Sequence, residues 1–391
     1  MLLNSTGASV QLASSIDPHV LLGLAIAVAV SIFISVVPQT QRPNITIVAL
    51  LAAIAYYRWA FLGFAVVAGI AYLALRYLSG HTDGAKRWNW ACGALVLLTA
   101  VFGAGRIWHW DAPVGSAGPI PLVLYGLDMW LMLRLVTLFW EVGSGTVAAP
   151  SLTQYVLWVC LPFTIGGPLL RFSEMPETVR PDRSLWRSRG WWAQIARSSA
   201  LLTAGFAATL FPLAIPAHWP HAHVIKSAVL TFFAGPFGFY FSTAGYFGLM
   251  EQLARPSGFG LQPSFCHPFG RENISVFWMN WNRTATFVFR DYLFYNRWGR
   301  QNYNVYFNIL LLFTLVGFWH AANAYWVLWG ILNGLLFCTF LLWRRYTAAA
   351  KHLPLRGTPI AKTAARALTY LSVCMCWYLP SKVLQQLAIA I

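Results

Sequence analysis

The sequence predicts an all-α, polytopic membrane protein, and three observations predict it. Hydrophobic residues make up 58% of the 391-residue chain and charged residues only 10%, against about a quarter charged in an ordinary soluble domain. Apolar stretches long enough to cross a bilayer, about 20 residues each, recur at 19–37, 45–78, 88–105, 119–140, 151–170, 197–216, 225–250, 303–343 and 366–391. The basic residues collect between those stretches, as in loops that orient a membrane protein. Because 45–78 and 303–343 are each long enough for two crossings, roughly ten or eleven spans are expected. No stretch is left for a large soluble domain, so 1–391 reads as a single integral-membrane domain.

The net charge of +16 would suit nucleic acid only if it lay on one periodic face, and it does not; no nucleic-acid partner is expected. One loop carries Arg171, Arg180, Arg183, Arg187, Arg189 and Arg197 against Glu174, Glu177 and Asp182. Another carries Arg344, Arg345, Lys351, Arg356, Lys362 and Arg366 with no acid. Both are expected at the cytoplasmic face. Arg283, Arg290, Arg297 and Arg300 surround only Asp291, so that stretch is expected at the same surface or dipping in from it.

Along the chain, the first 18 residues contain no Lys or Arg and so lack the basic start of a cleaved signal peptide, and the first span is expected to be retained. Residues 1–150, rich in Ala, Val and Leu, read as framing helices. Two polar clusters fall at expected outer loops: Arg106, His109 and Asp111, and His218, His221 and His223. No Cys or carboxylate completes the histidine cluster as a metal site, so interfacial Trp and His beside a Pro turn is the preferred reading and no metal is expected. Cys92, Cys160, Cys266, Cys338, Cys374 and Cys376 show neither zinc nor redox spacing and read as small core residues. No internal repeat of the kind that marks many secondary transporters is visible.

From about residue 160 the texture changes. The stretch LPFTIGGPLLRFSEM (161–175) breaks an apolar helix with Gly166, Gly167 and Pro168, then adds Arg171 and Glu174. Inside a membrane such a break must be buried in protein or line a cavity. In 264–300, aromatics alternate with Asn280, Asn282, Arg283, Arg290, Asp291, Asn296 and Arg297. Phe277, Trp281, Thr284 and Val288 follow helical spacing, which predicts one amphipathic or re-entrant helix. Finally, GFWHAANAYWVLWGILN (317–333) lies in a run without Lys, Arg, Asp or Glu from Asn308 to Arg344. His320 and Asn323, three apart, are expected on one helical face; Trp319, Trp326, Gly330 and Asn333 form a neighbouring stripe, with Gly330 and Gly334 admitting another helix closely. Intramembrane polar side chains are costly and mark bundle interiors or water-filled paths.

Together these stretches resemble the membrane-bound O-acyltransferase family, most closely its bacterial branch of alginate O-acetylation and teichoic acid D-alanylation proteins. GFWHAANAYWVLWGILNG is similar to the family's late signature and places His320 on its histidine. FWMNWNRTATFVFRDYLF is similar to an upstream element at Phe277, Trp278, Trp281, Arg290, Asp291 and Tyr292. GGPLLRF and SFCHPF resemble two further family elements, so that four motifs stand in the family's order over about 155–345, expected to be the catalytic core, with 346–391 a basic cytoplasmic loop and final span. The chain departs from the branch at Asn282 and Asn333, where the branch has histidines, and at Ala321, where it has Gly. Asn282 matches what eukaryotic members often pair with the histidine.

The resemblance implies transmembrane and re-entrant helices around a central catalytic tunnel, and transfer of an acyl group, acetyl by analogy, from a thioester to a hydroxyl. His320 would be the general base and Asn282 its companion, with Arg171, Trp278, Trp281, Arg290, Asp291, Trp319, Asn323 and Trp326 around the substrates. No bound cofactor is implied; acyl-CoA or an acyl-carrier protein is the donor substrate, meeting cytoplasmic basic residues. The acceptor would be an envelope glycan, reached directly or through an extracytoplasmic partner protein, at a bacterial inner membrane. A lipid or small-molecule acceptor is the alternative within this chemistry. Outside it stand a transporter with His320 as proton relay, which the 11 acidic residues serve poorly, and a catalytically silent scaffold.

Overall fold

A computed structural model describes residues 18–37, 44–107, 129–216, 218–294, 304–321, 323–349 and 358–390. The sequence readings on His109, Asp111, Asn296, Arg297, Arg300, Lys351 and Arg356, and on the side chain of Arg106, lie outside the described residues. The described residues are mainly helical and contain no strand. They divide into two compact units: Pro18–Gln194 with Leu249–Gln262, and Ile195–Gly248 with Pro263–Ile391.

In the first unit, α1 (Pro18–Val36), α2 (Ile45–Tyr57), α3 (Phe61–Ser79), α4 (Gly84–Ile107), α5 (Met129–Ser144) and α6 (Leu152–Val159) succeed one another. Where 45–78 was expected to hold two crossings it holds two apolar helices, of which only α3 is long enough to cross: Arg58, at φ 52°, ends α2 after 13 residues and a short 3₁₀ turn leads into α3. Along α3, Leu62, Ile70 and Leu73 are each more than 60% exposed, the apolar face of a helix that meets lipid.

The expected single span over 151–170 is corrected: α6 is only eight residues long. It starts on a capping box, Ser151 with Gln154, and then gives way to a 3₁₀ turn at Pro162–Thr164 and a loop in which Gly166 and Gly167 take φ of 75° and 94°. Only Gly enters that region at no steric cost. The carbonyls freed at the end of α6 are met by Arg134, fully buried in α5. Its Nη1 donates to the carbonyls of Trp158 (3.4 Å) and Val159 (3.1 Å) and to Thr164 Oγ1 (3.0 Å). A guanidinium there both supplies donors and opposes the negative end of a helix dipole.

The second unit takes its share of α7 (Arg189–Leu210), then α8 (Ala222–Val229), which runs through a π turn into α9 (Gly235–Ala254). Next come two short helices, α10 (Ile274–Asn280) and α11 (Arg283–Val288), the latter continuing into a π turn at Phe289–Phe294. They correct the expectation of one amphipathic helix across 277–290. Trp281 is extended and Asn282 left-handed (φ 39°, ψ 55°), a conformation that Asn reaches more readily than most residues. Finally α12 (Val305–His320), α13 (Ala324–Ala349) and α14 (Pro359–Ala390) follow.

α12 and α13 form an antiparallel hairpin; of the two crossings expected over 303–343, α13 is long and apolar enough to span and α12 is a shorter apolar helix. Its backbones meet at glycines: a Cβ at Gly330 would land on the carbonyl oxygen of Phe313, one at Gly317 on that of Trp326, and one at Gly334 3.0 Å from Cα of Leu310. Small residues drive such contacts where lipid removes the hydrophobic incentive to associate.

Among the described residues, Phe61–Ser79, Ala222–Ala254 and Ala324–Thr347 are long and apolar enough to cross a membrane, and Val20–Val36, Ile45–Tyr57 and Val305–His320 are shorter apolar helices. With the lipid-facing rows, they make this an all-α integral membrane protein.

Because the atom facing Gly330 is backbone, Gly330→Ala should destabilise the hairpin by about 1–3 kcal/mol. It is expected to lower the melting midpoint of the detergent-solubilised protein. Gly69→Ala, with no atom within 4 Å of its new methyl, is expected to leave the midpoint unchanged or raise it.

Candidate active site

Asn282 owes its position to the segment 264–271. The amide of Arg283 donates to the carbonyl of Ser264 (2.7 Å), and the amide of Cys266 donates to the carbonyl of Asn280 (3.1 Å). These two bonds bracket the left-handed residue. Arg271 adds Nη2 bonds to the carbonyl of Cys266 (2.6 Å) and to Asn280 Oδ1 (3.3 Å). Arg283 Nη1 reaches the Cys266 sulfur (3.1 Å). A backbone break inside apolar surroundings is tolerable when its polar groups are paired in this way. The break turns Asn282 out of both helices and into the wall of a cavity.

That cavity, of about 480 Å³, lies within the second unit and is lined by α10, α11 with its π turn, α12 and α13. It follows α12 from Val305 to His320, about 22 Å at 1.5 Å per residue. Between those ends the walls are Ile309, Leu312, Phe313 and Val316. Leu341, Arg344 and Arg345 line it beside the start of α12, where the hairpin returns. The Arg344 guanidinium has no hydrogen-bond or ion-pair partner among the described residues, and Arg345 lies over the Tyr306 ring at 5.5 Å. The cavity therefore joins a cationic end to an imidazole end through an apolar middle.

His320 is the last residue of α12. Its ring stacks on Trp326 (4.6 Å, 22°), meets Trp329 edge-on (5.6 Å, 85°) and tilts against Trp319 (4.8 Å). Three indoles fix the imidazole plane. Trp319 packs in turn on Phe289 at 5.4 Å, tying α12 to the π turn that carries Arg290.

His320, Asn282, Trp278, Trp281, Arg290 and Trp319 all line the cavity. Trp326 is not among its lining residues and acts on the ring of His320. Asp291 is not among them either; it pairs with Arg290 (Nε to Oδ1, 2.7 Å), whose guanidinium lies 4.5 Å over Phe287. The expectation that Asn323 shares a helical face with His320 is corrected. α12 ends at His320, Ala321 is extended (φ −164°), and Asn323 caps α13 by accepting from the amide of Trp326 (3.0 Å). Arg171 belongs to the first unit, where it pairs with Glu174 (3.7 Å) at a 3₁₀ turn. Asn333 is fully buried, its Nδ2 bonded to the carbonyl of Trp329 (2.8 Å).

Arg344, Arg345, Trp329 and Thr286 also line the cavity and were missed as site residues. The arginine pair read as an orientation signal alone; the clue lay in the helix that carries them, which begins beside the His320 motif. Among the described residues, no three of His, Cys, Asp and Glu gather as metal ligands.

No protein-family model matches the chain. It is similar to the probable alginate O-acetylase AlgI of Pseudomonas syringae pv. tomato, at 25% identity over 76% of this chain and 58% of that protein. It is also similar to the teichoic acid D-alanyltransferase of Bacillus subtilis, at 23% identity over 74% of this chain and 76% of that protein. These relatives are membrane-bound O-acyltransferases, and the chain is similar to them. The peptidoglycan O-acetyltransferase of Helicobacter pylori is similar over a shorter stretch, 26% identical over 46% of this chain and 36% of that protein. The chain spans about half to two thirds of the length of the alginate O-acetylases it matches.

Since Gly accepts the left-handed conformation and Ala resists it by about 1–2 kcal/mol, Asn282→Gly is expected to melt close to the unaltered protein and Asn282→Ala clearly below it. Melting curves of the two variants in one detergent check this.

Proposed function

We propose that the chain transfers a short acyl group, acetyl in the first instance, from a cytoplasmic thioester to a hydroxyl group. The supporting observation is the cavity with His320 at one end and Arg344 and Arg345 at the other. A thioester donor, acyl-CoA or the phosphopantetheine arm of a carrier protein, has anionic phosphates at one end and its reactive carbonyl at the other. Guanidinium groups suit phosphate because they present several fixed donors and a permanent charge. With phosphates at Arg344 and Arg345, the thioester lies along the apolar walls and reaches His320.

An alcohol is a poor nucleophile at neutral pH. Imidazole that takes its proton during attack contributes about 100- to 10,000-fold. The three indoles around His320 hold the ring in one orientation for that transfer. The Asn282 amide orients the incoming hydroxyl or the acyl carbonyl without adding charge.

The acceptor is proposed to be an envelope polysaccharide, or an extracytoplasmic protein that completes the transfer, at the bacterial inner membrane. Relatives named for alginate, peptidoglycan and teichoic acid support that class. The basic segment that includes Arg344 and Arg345 supports placing their end of the cavity at the cytoplasmic face.

In vesicles supplied with labelled acetyl donor, His320→Ala is expected to lower transfer about 100- to 10,000-fold, with expression and melting retained. Arg344→Gln with Arg345→Gln is expected instead to raise the donor KM and leave kcat nearly unchanged, the sign of binding shared by ground and transition states. Full transfer by His320→Ala would refute the reading.

A further inference from the structure

Three buried polar atoms belonging to lining residues of this one cavity have no hydrogen-bond partner among the described residues: Nε1 of Trp278, Nε1 of Trp329 and Oδ1 of Asn282. Trp278 is 8% exposed and Trp329 2%. A buried indole N–H ordinarily finds an acceptor, and leaving it without one is costly. Two such donors on adjoining rings are therefore a demand for oxygen. The rings meet edge to face, 5.7 Å apart at 88°, and Trp329 also meets His320 edge-on at 5.6 Å. The demand lies beside the candidate base.

An indole nitrogen donates and does not accept, so the atom it receives is a lone-pair oxygen. Because the donor is uncharged and pre-positioned in an apolar wall, it serves best where negative charge develops. Asn282 Oδ1 is the complementary group, an acceptor suited to a hydroxyl.

We propose that the N–H groups of Trp329 and Trp278 receive the carbonyl oxygen of the thioester donor and hold it as an oxyanion. This rests on the acyl-transfer reading above. The acceptor hydroxyl oxygen bonds to the carbonyl carbon, its proton passes to His320, and the C=O π pair moves onto oxygen, where the two N–H groups bind it. The pair then returns to re-form C=O, the C–S bond breaks with its electrons going to sulfur, and the thiolate takes the proton back from His320. Ester and free thiol are the products, and His320 is regenerated.

Trp329→benzothienylalanine, which replaces N–H by sulfur and keeps the ring shape, tests this in the full-length protein in vesicles. The probe is labelled acetyl-CoA or acetylated carrier protein, read as acetyl transferred to envelope polymer. The expected result is a kcat about 100-fold lower, with donor KM and melting midpoint unchanged. Should that variant fail to fold, Trp278→benzothienylalanine is measured in its place with the same expectation. Wild-type kcat in the folded analogue, alongside an inactive His320→Ala, would overturn the oxyanion role and leave the acyl-transfer reading standing. Equal transfer by wild type and His320→Ala would overturn both.

Discussion

The glycine contact between α12 and α13 is the constraint on which the site depends. Gly317 lies against the carbonyl of Trp326, and Gly330 against that of Phe313, so the two backbones touch with no side chain between them. Close approach at these points sets the register of the hairpin. At one end it brings Trp326 and Trp329 onto the ring of His320; at the other it returns Arg344 and Arg345 beside the start of α12. Both ends of the proposed donor path are thus fixed by a few backbone contacts in the middle. Lipid supplies no hydrophobic reason for two helices to associate, so van der Waals fit has to do it.

A second constraint is that every interrupted helix must account for its polar backbone. At Asn282 the account is kept by Ser264 and Cys266, whose backbone groups pair on both sides of the turn. At the end of α6 it is kept by Arg134. The two solutions differ in kind. The first exposes an amide to a cavity, and the second encloses a cation completely. Only the first has chemistry to offer.

The sequence made the membrane class and the hairpin legible because both follow from length and apolar character, which are properties of contiguous residues. His320 was legible through its motif, and Asn282 through an amide in an apolar setting. The break that presents Asn282 was not legible: Phe277, Trp281, Thr284 and Val288 keep a helical period across it, and the bonds that impose it come from residues well upstream. Asn323 illustrates the converse. Its spacing from His320 is right for one helix, but an extended Ala321 separates two helices, and the residue becomes a cap. Arg344 and Arg345 were visible as charge and invisible as site, since only the antiparallel return of α13 puts them at the cavity that holds His320.

The central claim is that the proposed thioester donor enters from the cytoplasmic side, at the arginine end, and reaches His320 from there. Sidedness tests it most directly: labelled acyl donor that cannot cross a bilayer is offered to inside-out and to right-side-out vesicles carrying the protein. Acylation in the inside-out vesicles alone is the result predicted. Equal acylation in both orientations, or acylation confined to right-side-out vesicles, would contradict it.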